Sequence, residues 1–234
     1  MMADTTSTRL HLVRHGDNRK GSVFELSAVG LDEARSVRDR IDGDPKYAIV
    51  AGRGRFATTA ALALYPRTPA RDIDHTVRQM IYTGEIIVDH SIEYKRTSAN
   101  PEFSHALTRS FEEARVIEFI IRDSDGYLPG DISTFSTMSS AMARVIGSAS
   151  NDAIVCCREN FIVSFRAMLT LKALGEDALS DYLCAYTSVF GRDDPESRQN
   201  VVAIESCASG VVLTDSFGQV SLGKDGLDLM IGDE

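Results

Sequence analysis

Leu10-His11-Leu12-Val13-Arg14-His15-Gly16-Asp17 is the stretch on which the reading of the fold turns. Its apolar run leads straight into Arg-His-Gly, the pattern of a short buried strand that ends in a tight turn. In an open α/β sheet, ligands sit at the carboxyl ends of the strands. A guanidinium beside an imidazole at such a tip makes a pocket for an anion, with phosphate the commonest candidate. The alternative on these residues alone is a plain turn, in which His15 bonds backbone and Arg14 faces water.

The composition fits an ordinary globular chain. Its 234 residues suffice for one large domain or two small ones, and 43% hydrophobic with 25% charged residues is ordinary for a packed core. The net charge of −9 argues against a nucleic-acid partner. No apolar run approaches the length of a membrane span. Met1 to Arg9 is polar and lacks the apolar heart of a signal peptide, so a short frayed tail is expected there. Cys156, Cys157, Cys184 and Cys207 fit no zinc spacing, and a chain of this length needs no disulfide staples. They read as reduced thiols in a cytoplasmic protein.

Strands alternate with helices along the chain. Ser27 is a candidate N-cap for a helix with Leu31, Ala34, Val37 and Ile41 on one face, stopped by Gly43 and Pro45. Tyr47 to Ala51 reads as a second buried strand. It leads through Gly52-Arg53-Gly54-Arg55 into a helical Phe56 to Leu62. Thr76 to Met80 has no clear pattern. Glu85 to Val88 reads as a short strand, Phe103 to Ile121 and Phe135 to Ile146 as helices, and Ala153 to Cys156 as a third buried strand. A helix over Asn160 to Leu174 follows, then a shorter one over Asp177 to Leu183. Val201 to Ile204 and Gly210 to Leu213 read as late strands. This order predicts one α/β domain over 1–234: a three-layer sandwich with a mostly parallel sheet, helices on both faces, and a helical lid inserted at about 73–148.

With these loops in order, the chain resembles the histidine phosphatase superfamily, the phosphoglycerate-mutase-like group. Arg14-His15-Gly16 matches that family's signature. Leu26-Ser27-Ala28-Val29-Gly30 looks like its Leu-Thr-x-x-Gly at the start of the first helix. Arg55 to Ala60 matches its Arg-x-x-x-Thr-Ala, Ser91-Ile92-Glu93 resembles the segment that supplies its acid, and Asn200 to Leu213 its last strand pair. One departure stands out. The family carries a second histidine, in Ser-His-Gly, after the third buried strand. Here Arg158 occupies that position and Glu159 that of the glycine.

The resemblance implies a phosphomonoester hydrolase. His15 would attack phosphorus and form a phosphohistidine, with Arg14, Arg55 and Arg158 binding phosphate oxygens. Glu93 would protonate the leaving oxygen and then take a proton from water. Such chemistry asks for no cofactor and no metal, and its partner is a small anionic or phosphorylated substrate. A mutase is less favoured, because no pocket for a substrate carboxylate is visible. Arg158 can be read three ways: as a cation replacing the histidine, as a plug paired with Glu159 or Glu93, or as a solvent-facing residue. Arg53 reads most simply as a solvated loop charge. A second class of function stays open: a divergent member with lost or redirected catalysis that binds an anionic ligand, or that transforms an acidic metabolite. Oligomeric state is left open, a homodimer included.

Overall fold

The computed structural model describes residues 7–20, 25–92, 134–190 and 201–231. Strand β1 (Thr8–Arg14) leads to helix α1 (Ala28–Ser36), which tightens into a 3-10 turn at Val37–Arg40. Strand β2 (Tyr47–Val50), helices α2 (Arg55–Leu64) and α3 (Ile73–Thr83) and strand β3 (Ile86–Val88) follow. The second half holds α4 (Thr134–Ser148), β4 (Ala153–Cys157), α5 (Glu159–Leu174) and α6 (Glu176–Phe190). It closes with β5 (Val201–Cys207), β6 (Gly210–Asp215), β7 (Gly218–Gly223) and α7 (Lys224–Ile231).

The seven strands form one sheet in the order β3-β2-β4-β1-β5-β6-β7. β3, β2, β4 and β1 pair in parallel, and β5, β6 and β7 continue the sheet as an antiparallel meander. The α/β class therefore holds, with a mixed sheet. Every residue of β4 and Leu10 to Val13 of β1 are buried, so both faces of the sheet centre are covered. Two sets of helices do the covering. One is α1, α2 and α3, packed on one another with α2 against β2, β3 and β4. The other is α4, α5, α6 and α7, with α5 against β1 and β7.

Local sequence explains the elements. The Ser27 hydroxyl accepts a hydrogen bond from the Gly30 amide at 3.0 Å, capping α1 as its position suggested. α4, read from the sequence as a helix over Phe135 to Ile146, buries Met138, Met142 and Val145. Thr76 to Met80, which had no clear pattern, lies inside α3, which buries little beyond Ile73 and Met80. The late strands extend beyond their sequence bounds, and β7 and α7 join them.

The stretch expected as a lid, about 73–148, divides. α3 packs on α2 and β3, β3 is a sheet strand, and α4 packs on α5 and α7. Residues 93–133, with the helix expected at Phe103 to Ile121, lie outside the described residues.

A buried ion pair fastens the meander to the helices. Arg166 Nε of α5 donates to Asp215 Oδ2 of β6 at 3.0 Å, with the two side chains 4% and 2% exposed. Arg166 Nη1 also donates to Thr170 Oγ1, and its guanidinium lies 5.0 Å over the Tyr182 ring. Removing one partner of such a pair strands the other charge in the core. Arg166→Met is expected to cost about 3–5 kcal/mol in urea unfolding. Adding Asp215→Asn to that variant should return part of the loss.

Candidate active site

Strand register builds the site. β4 lies between β1 and β2, with Arg14 paired to Cys157 and Val50 to Cys156. Three neighbouring parallel strands thus end level, and their loops leave the sheet side by side. The connection from β1 runs to β2 on one side, whereas that from β4 runs to β5 on the other, so the topology switches between β4 and β1. The His15 amide donates to the Cys157 carbonyl at 3.3 Å, and the Ala51 amide to Cys156 at 3.0 Å. These bonds hold the loops to one another just beyond the last strand residues.

Each loop delivers a basic side chain. β1 brings Arg14 and His15. The β2 loop brings Arg55, buried at the first turn of α2. Gly54, which caps that helix, has φ of +64°, a backbone that other residues rarely adopt, so the loop can turn sharply there. The β4 loop brings Arg158, the N-cap of α5.

Backbone contacts tie these pieces together. Gly16 and Gly30 approach so closely that a Cβ on Gly16 would strike the Gly30 carbonyl, and one on Gly30 the Asp17 backbone. The Gly16 amide donates to Thr59 Oγ1 at 3.1 Å, and the Thr59 hydroxyl donates to the Arg55 carbonyl at 2.8 Å. Thr59 therefore couples the His15 loop to the turn that carries Arg55. Thr59 stood one helical turn after Arg55 in the sequence, but its partner Gly16 was not legible there. The Asp17 amide donates to Glu33 of α1 at 2.8 Å.

The surroundings of His15 fix its ring and its protonation. Its Nδ1–H donates to the Gly16 carbonyl at 2.8 Å, which leaves the lone pair on Nε2. Burial pushes its pKa down to about 3, helped by the guanidinium groups of Arg55, Arg14 and Arg158 and opposed by the bond to Gly16. The imidazole stays neutral at physiological pH, the form that can attack. Phe56 stands perpendicular to it at 5.1 Å between ring centroids and carries the Arg55 guanidinium 4.9 Å over its own ring.

The sequence-predicted residues thus come together in part. The guanidinium groups of Arg14, Arg55 and Arg158 all lie close enough to His15 to lower its pKa. Glu93 lies outside the described residues. Arg158 Nε is buried and makes no hydrogen bond among the described residues. Glu159 pairs instead with Arg14, at 3.3 Å. Arg53 is exposed, and Cys156 and Cys157 are buried free thiols whose pKa burial pushes up. Among the described residues no cluster could hold a metal ion, and no helix is long and apolar enough to cross a membrane.

No family model and no curated protein matches the chain. Solved structures do resemble it. A phosphoserine phosphatase from Entamoeba histolytica, in complex with 3-phosphoglyceric acid, is 12% identical with a TM-score of 0.47, over 84% of this chain and 90% of that one. YhfR from Bacillus stearothermophilus is 13% identical with a TM-score of 0.45, over 93% and 96%. A phosphoglycerate mutase from Thermus thermophilus is 18% identical with a TM-score of 0.41, over 84% and 92%. All three likenesses are distant.

The depressed His15 pKa carries a sign. A histidine unfolded at 6.5 and folded at about 3 contributes stability above pH 6.5 and loses it as pH falls toward 3. Buried His11, whose pKa is also lowered by burial, acts in the same direction. Urea midpoints should fall across that window, and less steeply in His15→Ala. In NMR titration the His15 ring should remain neutral until near pH 3.

Proposed function

We propose that the protein is a phosphatase of the histidine phosphatase type, hydrolysing a small phosphomonoester through a phosphohistidine at His15. What carries the reading is the meeting of three guanidinium groups around a neutral imidazole at adjacent strand ends. A phosphoryl group in transfer spreads charge over its oxygens, so positioned cations are the main requirement. The resemblance of Arg14-His15-Gly16 and Arg55 to Ala60 to family motifs supports it from the sequence side.

The reaction has two halves. His15 Nε2 attacks phosphorus as the bond to the ester oxygen breaks, and the leaving oxygen takes a proton from an acid, the role assigned to Glu93. Water then attacks the phosphohistidine, giving its proton to that carboxylate, and releases inorganic phosphate with neutral His15 restored. Arg14, Arg55 and Arg158 hold the three phosphoryl oxygens throughout. Buried Nε of Arg158 gains an acceptor when a phosphate oxygen reaches it, an exchange favoured because an unmade buried donor costs about 1–3 kcal/mol.

Arg158 also favours a second reading. A guanidinium cannot shuttle a proton as an imidazole can, so a cup with Arg158 in place of a second histidine could bind phosphate and turn it over slowly or not at all.

The test is turnover of p-nitrophenyl phosphate and of a panel of sugar and nucleotide phosphates. His15→Ala should lower kcat by about a thousand-fold or more, and Arg55→Ala by about a hundred-fold. Arg158→His is expected to raise kcat. Vanadate or phosphate binding by the wild type without turnover would establish the second reading in place of the first.

A further inference from the structure

We infer that Glu159 is a positioning residue, a carboxylate clamp that fixes the Arg14 guanidinium at the lip of the phosphate cup and is itself held by the Tyr186 hydroxyl. The inference rests on the phosphate-binding reading of that cup.

Three elements meet here: β1 from the start of the chain and the consecutive helices α5 and α6. Glu159 Oε2 lies 3.3 Å from Arg14 Nη1, and the two side chains are equally shielded, each 26% exposed. The other carboxylate oxygen, Oε1, accepts the Tyr186 hydroxyl at 2.7 Å. Both oxygens are therefore engaged, one by β1 and one by α6. A carboxylate held from both sides has little rotamer freedom left, so it restrains the arginine more than an exposed pair would.

Tyr186 is a sound anchor. It is buried, and its ring packs against Tyr182 at 6.1 Å and Phe217 at 6.2 Å. Tyr182 in turn lies under Arg166, whose ion pair with Asp215 fastens the meander. Burial and the adjacent carboxylate push the Tyr186 pKa upward, so the hydroxyl keeps its proton and remains a donor. The chain Tyr186–Glu159–Arg14 thus runs from the packed interior to the cup. Arg14 spends Nη1 on the clamp and keeps its other N–H groups for a phosphate oxygen.

Charge gives the clamp a second effect. The carboxylate offsets one of the three guanidiniums, which lowers the attraction for any anion. Releasing it should therefore loosen Arg14 while leaving the cup more positive. Chemistry and ground-state binding then move apart, which mere loss of folding would not produce.

The test uses the full chain. In wild type the Arg14 side-chain N–H signal, assigned by its disappearance in Arg14→Lys, should be sharp with inorganic phosphate present. Glu159→Gln should broaden it, and Tyr186→Phe should do so to a lesser degree. In the same variants kcat for p-nitrophenyl phosphate should fall, by about ten-fold for Glu159→Gln, with inorganic phosphate bound as tightly or more so. Glu159→Asp should restore part of the rate. An unchanged Arg14 signal with unchanged kcat overturns the clamp, as does a fall in kcat and phosphate affinity together in proportion to the folded fraction from thermal melts. Wild type that neither binds phosphate nor turns over ester overturns the phosphatase reading itself, and the clamp with it.

Discussion

Level strand ends are the constraint on which this structure depends. β2, β4 and β1 run parallel and adjacent, with Val50 beside Cys156 and Cys157 beside Arg14. A strand's register moves in whole residues, and a slip of one would turn every side chain to the other face. The fully buried β4 tolerates no such slip, because both its faces are packed. Packing in the sheet centre therefore fixes where three loops emerge, and so fixes the distances among Arg14, His15, Arg55 and Arg158. The site is a by-product of how the core fills.

That arrangement concentrates positive charge in a chain whose net charge is −9. The fold accommodates it in different ways at each position. Arg55 lies over the face of Phe56, where ring electrons favour a cation. Arg14 takes Glu159 as counter-ion. Arg158 is left with a buried Nε that has no hydrogen-bond partner among the described residues. His15 stays neutral, chiefly because it is buried and further because the guanidinium groups disfavour a proton on its ring.

The parallel half of the fold and the basic members of the cup were legible in the sequence. Their signals are local: an apolar run ending in Arg14-His15-Gly16, a Ser27 cap, an arginine one turn before Thr59. The antiparallel meander was legible only as two strands. Val220 and Leu222 of β7 carry a short alternation that gives no direction of pairing. α3 was obscured because Thr76 to Met80 holds only two members, Val77 and Met80, of an apolar stripe that runs from Ile73 to Ile81. Tyr186 could not be found from spacing at all. Its importance comes from Glu159, 27 positions away, and on to Arg14, on a strand from the opposite end of the chain. Pairings of that kind exist only once the layers have packed.

The fused glycines at 16 and 30 have a bearing on how the chain tolerates change. Just beyond them the Ser27 amide donates to the Asp17 carbonyl at 2.9 Å, Asn18 bridges to Leu26, and the Arg19 amide donates to Glu25 at 3.0 Å. These rungs tie residues 17–19 to residues 25–27 through the main chain. Main-chain rungs do not depend on which side chains flank them, whereas any Cβ at position 16 or 30 would drive the loop off the helix. The neighbourhood of His15 is therefore permissive toward chemistry and intolerant of bulk.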